Sequence, residues 1–254
     1  MIETKVRLKK IITCCSFILV VMIALSSCSK EVQHIASVEP DYYRIDKRQP
    51  SDNRELLELI EPYKSGLDAT MKEVIGQVDE ELRKTKPNGS LNNFVADILL
   101  AQARKNEPSV EFALQNYGGI RIPALAKGEV TVGKVYELMP FDNLLVILTA
   151  DGKTVQRLFD RIADYGGWPL SKGTSFKIQN DKAVDIVING KPFDPSGKYT
   201  FALPDYIANG GDNCTFLLET ERNDLGLLVR DALIQGIRDL NGSIKFNNEI
   251  RIVE

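Results

Sequence analysis

Histidine is nearly missing from this chain: His34 is the one imidazole in 254 residues. A metal centre built from several imidazoles, or a buried Ser-His-Asp triad, is thereby almost excluded. Cysteine is scarce too, at four. Cys14, Cys15 and Cys28 all fall in or at the end of the N-terminal apolar segment, so only Cys214 remains beyond it. The rest of the chain therefore has no intramolecular disulfide, even in an oxidising compartment. No long apolar run is present either. Ile11 to Leu25 is largely apolar but falls short of the roughly 20 residues of a spanning helix. Nor is there a surplus of basic charge: 32 Lys and Arg stand against 35 Asp and Glu, for a net charge of −3. General affinity for nucleic acid through a basic surface is not expected. What is present is an ordinary globular composition, 43% hydrophobic and 26% charged. That excludes a wholly disordered chain, a fibrous repeat and a polytopic membrane protein.

The N-terminus reads as an address. Lys5, Arg7, Lys9 and Lys10 form a basic start, and the apolar run follows. It ends in Leu25-Ser26-Ser27-Cys28, which matches the bacterial lipoprotein box, with Cys28 as the lipidated residue. An ordinary cleavable signal with an incidental cysteine is the alternative. Residues 1–27 are thus expected to be a signal peptide and 28–53 a polar tether carrying Pro40, Pro50 and His34. No aspartate follows Cys28, so nothing signals retention at the inner membrane. The expected location is a lipid anchor in the outer membrane, on the periplasmic or the cell-surface side.

From residue 54 onward, helical and strand patterns mix. Asp52 or Asn53 is placed to cap a helix running to Met71 and bent at Pro62, with Leu56, Leu57, Leu59, Ile60 and Tyr63 on its apolar side. Val74 to Val78 reads as a strand. Leu91, Phe94, Val95, Ile98 and Leu99 fall at helical spacing and predict a helix over 90–106 with one buried face. Val110 to Leu114, Leu144 to Thr149, Phe176 to Gln179, Val184 to Ile188, Tyr199 to Leu203 and Glu249 to Val253 read as strands. Val132 to Leu138, Lys153 to Tyr165 and Leu225 to Leu240 read as helices. Asp151-Gly152 reads as a turn, and Asn189-Gly190 as a hairpin turn. Without regular βαβ alternation, the class expected is α+β, in one domain over 54–254.

Three loops place glycine or proline beside an aromatic or charged residue. Asn116-Tyr117-Gly118-Gly119-Ile120-Arg121 follows a strand; its paired glycines let backbone approach a ligand, and Arg121 offers a fork of donors. Pro140-Phe141-Asp142-Asn143 sets a ring in a loop. Tyr206-Ile207-Ala208-Asn209-Gly210-Gly211-Asp212 ends in a carboxylate able to accept from a sugar diol. Taken alone, the glycine loops also read as tight turns and the Phe141 loop as core packing. Together they supply two rings for a base, a carboxylate for ribose and an arginine for phosphate. Base stacking on such rings contributes roughly 1–3 kcal/mol each.

The ordered set Asn-x-Gly-Gly-Ile-Arg, Pro-Phe-x-Asn and aromatic-x₃-Gly-Gly-Asp resembles the C-terminal, substrate-binding domain of 5′-nucleotidases and UDP-sugar hydrolases. Asn93-Phe94-Val95-Ala96-Asp97 matches a further helix motif of that family. The resemblance covers about residues 55–254. It implies a four-layer α/β/β/α domain with mixed sheets, in which Phe141 and Tyr206 sandwich a base and Asp212 binds ribose. It also implies that Asn116, Asn143 and Arg121 contact base, sugar or phosphate, on loops shaped by Gly118, Gly119, Gly210 and Gly211. There are departures. Tyr206 replaces a phenylalanine, Tyr117 a small residue and Asn213 a glycine, and Arg83 to Pro87 holds no alignable arginine. The family's metal-ligand motifs (Asp-x-His, Gly-Asn-His-Asp/Glu, Gly-His-x-His) do not occur in this sequence. The resemblance therefore implies a nucleotide-binding subunit that is not catalytic alone, with no cofactor of its own. Two divalent metals are expected in a separately encoded metallophosphoesterase. Alternatives are a nucleoside-binding surface lipoprotein without an enzyme partner, or a hydrolase using Asp142, Asp205 and Asp212.

Overall fold

The computed structural model describes Tyr42 and residues 54–254. The expected signal peptide, Cys28 and His34 lie outside the described residues, as does the tether apart from Tyr42. The first helix forms as α1 (Arg54–Met71) and runs through Pro62. It buries none of its residues. Leu59, Tyr63 and Leu67 stay exposed, and Met71, at its end, packs on the core. Strands β1 (Val74–Val78) and β2 (Leu82–Arg83) follow. Helix α2 (Ser90–Asn106) occupies the span its periodicity predicts, with Leu91, Val95 and Leu99 fully buried.

Next come β3 (Phe112–Ala113), β4 (Ala124–Leu125), β5 (Gly128–Thr131) and α3 (Val132–Leu138). Strand β6 (Leu144–Asp151) leads into α4 (Gly152–Asp164). Asp151 is the cap of that helix and not part of a turn: its carboxylate accepts from the Thr154 N–H at 2.8 Å, so the helix begins at Gly152. Then follow β7 (Ser175–Gln179), β8 (Lys182–Ile188), β9 (Lys191–Pro192), β10 (Lys198–Pro204) and the single turn α5 (Asp205–Ala208). The Asn189-Gly190 hairpin forms, with Ile188 opposite Lys191.

Leu225 to Leu240 is not one helix. Residues Glu221–Leu228 form strand β11 against β6, and only Val229–Asp239 is helical, as α6. Charged Glu221, Arg222 and Asp224 hide the strand in the sequence; it lies at a sheet edge, where charge is tolerated. A bulge between Asp224 and Leu227 breaks its register, with Gly226 at φ +65°. The chain ends through β12 (Ser243–Ile244) and β13 (Ile252–Val253), the latter shorter than expected.

The central sheet has the order β11-β6-β10-β3, and a second sheet the order β13-β7-β8-β9. Alternation along β6 divides the interior. Leu145 and Ile147 join Ala202 against α2 and α6. Val146, Leu148 and Ala150 join Phe201 and Leu203 against α4 and the second sheet. Phe112 and Phe201, paired across β3 and β10, stack with centroids 4.9 Å apart. The protein is thus α+β with mixed sheets. Among the described residues, no helix is long and apolar enough to cross a membrane.

Candidate functional site

The central sheet gathers the three loops at one end. β3 and β10 are parallel, and β6 is antiparallel to β10, with Pro204 opposite Leu145. The chain therefore leaves β3 and β10 at the edge where it enters β6. Asn116 lies just beyond β3, Asn143 just before β6, and Asp205 just after β10. Two bonds lock this edge: Asp205 Oδ1 accepts from the Leu144 N–H at 3.1 Å, and the Asn143 carbonyl accepts from the Val229 N–H at 2.8 Å.

Between the loops is a cleft of about 380 Å³, lined by Asn116, Gly118, Gly119 and Arg121 from the first loop. Phe141 and Asn143 come from the second, and Tyr206 and Asp212 from the third. That volume is in the range of small-molecule sites. Eight of the ten residues singled out in the three loops thus meet in one cavity. Gly210 and Gly211 shape it from behind. Gly210 sits at φ +88°, and a Cβ on Gly211 would stand 2.5 Å from the Tyr206 carbonyl and 2.6 Å from its ring. Phe141 and Tyr206 stay 40% and 44% exposed. Two ring faces left open in a cavity are a surface for a flat apolar ligand.

The polar side of the cleft centres on Asp212. Its Oδ2 accepts from Asn116 Nδ2 at 2.8 Å and its Oδ1 from the Tyr206 hydroxyl at 3.2 Å. Burial, and then the Asp212 charge, push the Tyr206 hydroxyl above its ordinary pKa, so it stays a proton donor. Gln115 Nε2 donates to Asn116 Oδ1 at 2.8 Å. From outside the cleft, Arg161 Nε donates to the Asp212 carbonyl at 2.7 Å. That bond holds a backbone turn in which Asp212 and Asn213 adopt φ of +49° and +64°. Arg121 donates to the Gly118 carbonyl at 3.2 Å, and its guanidinium lies 5.6 Å from the Phe141 ring centre.

Lys84 and Lys86 flank the first loop. Lys84 Nζ donates to the Ile120 carbonyl at 2.7 Å and sits 4.0 Å from the Tyr117 ring centre; Lys86 Nζ lies 3.7 Å from that of Tyr165. Burial depresses the pKa of both; Arg121 and Lys86 add to the effect on Lys84, and Arg161 to that on Lys86. Sequence reasoning sought an arginine in this stretch and passed over the lysines. It also missed Gln115 and Arg161, whose roles depend on contacts between distant segments. Asp142 pairs with Arg230 at 2.8 Å, and Asp205 is engaged by Leu144. Among the described residues, no group of three or more His, Cys, Asp or Glu side chains is placed to hold a metal ion. The residues described thus do not fit the two metals of the implied phosphoesterase chemistry.

A family model described as "5′-nucleotidase, C-terminal domain" matches residues 74–219, and the chain belongs to that family. Among curated relatives, Silent protein UshA(0) of Salmonella typhimurium is 29% identical over 168 residues, 64% of this chain and 30% of its own length. Trifunctional nucleotide phosphoesterase protein YfkN of Bacillus subtilis is 27% identical over 226 residues, 80% of this chain and 15% of its own. Among solved structures, the 5′-nucleotidase precursor of Thermus thermophilus is similar at a TM-score of 0.67 and 26% identity. That match covers 79% of this chain and 43% of the other. The chain therefore spans less than half the length of these relatives.

Proposed function

We propose that this protein is the nucleotide-holding subunit of a split 5′-nucleotidase. A base stacks between Phe141 and Tyr206, the ribose hydroxyls bond Asp212, and Arg121 meets the phosphate. Asn116 and Asn143 contact base or sugar. The phosphate is presented to a separately encoded phosphoesterase chain carrying two divalent metals, which polarise the phosphate and generate the attacking hydroxide. Lipid on Cys28 anchors the protein to the outer membrane. The observation that carries this reading is the meeting, in one cleft, of two exposed rings and a carboxylate that already holds two donors. The family membership supports it.

The test is calorimetric titration with adenosine and AMP, without metal, beside Phe141→Ala and Tyr206→Ala. Micromolar to millimolar binding weakened by both substitutions is expected. No binding at millimolar ligand would remove the nucleotide site from the proposal. Binding without phosphate release when the phosphoesterase chain is added would favour a nucleoside-binding surface lipoprotein with no enzyme partner.

A further inference from the structure

A carboxylate only accepts hydrogen bonds, so Asn116 must face Asp212 with its nitrogen. Its oxygen then faces the interior and needs a donor there. Gln115, fully buried, supplies it from Nε2 at 2.8 Å. Gly119 makes the room: a Cβ at that position would overlap Gln115 Nε2 and stand 2.8 Å from Asn116 Oδ1. The order Gln115 to Asn116 to Asp212 thus runs one way, each amide donating toward the carboxylate. Asp212 has taken one donor on each oxygen, from Asn116 and from Tyr206. One lone pair per oxygen remains, the number a vicinal diol requires.

We infer that Gln115, which does not line the cleft, is a positioning residue: by fixing the direction of the Asn116 amide it sets the cleft's preference for ligands bearing a vicinal diol. This rests on the nucleoside reading of the cleft. Gln115→Met keeps about the length and bulk of the side chain and removes the donor. The Asn116 amide is then free to turn its oxygen toward an Asp212 oxygen.

The experiment is calorimetry on the full chain in detergent, with adenosine and 2′,3′-dideoxyadenosine as probes. For Gln115→Met, adenosine affinity is expected to fall about fivefold or more, while dideoxyadenosine affinity changes by less than about twofold. Unchanged adenosine binding, or equal loss for both ligands in a folded variant, overturns the inference. A second measurement needs no substitution at Gln115. In the amide proton spectrum, Asp212→Asn should shift the side-chain signals of both Asn116 and Gln115 and speed their exchange. Signals indifferent to Asp212→Asn overturn the inference even if Gln115→Met does not fold. If the unsubstituted chain binds no adenosine, the nucleoside reading fails, and the spectrum alone decides whether the chain of donors exists.

Discussion

Asn116 and Asp212 stand 96 residues apart in the chain and are joined by a 2.8 Å hydrogen bond. It closes the polar side of the cleft, so each loop depends on the other for its shape. Asp212→Asn tests the carboxylate with little disturbance, because asparagine tolerates the left-handed backbone found there. Adenosine affinity should fall about tenfold or more, while the melting temperature stays close to that of the unsubstituted protein. Calorimetry paired with a thermal melt reads both.

Phe141→Ala should weaken nucleoside binding by roughly 1–3 kcal/mol, the contribution of one stacked ring. Tyr206→Phe keeps the ring and removes the hydroxyl that Asp212 accepts, so it should retain most of the affinity. The two variants titrated side by side separate ring from hydroxyl. An equal loss in both would count against stacking on Tyr206.

The two glycines of the first loop should respond differently to alanine. A Cβ at Gly118 has its nearest neighbour at 3.8 Å, whereas at Gly119 it overlaps the Gln115 amide. Gly118→Ala should be as stable as the parent. Gly119→Ala should lose about 1–3 kcal/mol of stability, as overpacked sites do, and should lose nucleoside binding as well. Urea melts and titrations of both variants check this.

Cys214 is fully buried, and burial raises its thiol from 9.0 to about 11. The folded protein therefore holds the neutral form, while the unfolded chain ionises first. Stability from this group is intact below pH 9 and is lost as the pH rises toward 11. At pH 8 the thiol should react with Ellman's reagent only as fast as the protein opens. The urea midpoint should fall between pH 8.5 and 10.5 by less in Cys214→Ala than in the parent.

Asp97 lies outside the cleft. It pairs with the buried Arg251 guanidinium at 2.8 and 2.9 Å and accepts from the Lys172 N–H at 2.6 Å. Asp97→Ala strips one partner from a buried charge, which typically costs about 3 kcal/mol. Glu249 still faces the guanidinium at 2.8 Å, so the loss should lie at or below that figure. Nucleoside affinity should not change. Chemical denaturation and titration of the same sample separate the two effects.

Where local pattern and tertiary need agree, the elements were legible. Leu91, Val95 and Leu99 mark one helical face, and α2 spans the residues they imply. The three glycine and proline loops were legible as a set because each carries a residue type its turn requires. β11 was not, because its residues become a strand only by pairing with β6, and its exposed charges erase the alternation. Two-residue strands such as β2 and β4 exist only through each other and leave no pattern. In the cleft, Gln115 was invisible for a related reason. Its one signal was a polar residue directly after the strand candidate Val110 to Leu114, and its partner's partner lies far along the chain. Lys84 and Lys86 carry no signal of their own in the sequence, because nothing local separates a lysine packed over a ring from a solvated one.

Strand β6 gives alternate side chains to the two halves of the interior, Leu145 and Ile147 to one and Val146 and Leu148 to the other. Neither half can come apart while the other keeps β6 in place, so residues 74–253 have no natural fracture line. The cleft, hung on the entry to β6 and the exits from β3 and β10, inherits that indivisibility. It is present in full or lost with the whole, because the loops that line it hang on a strand that both halves of the interior share.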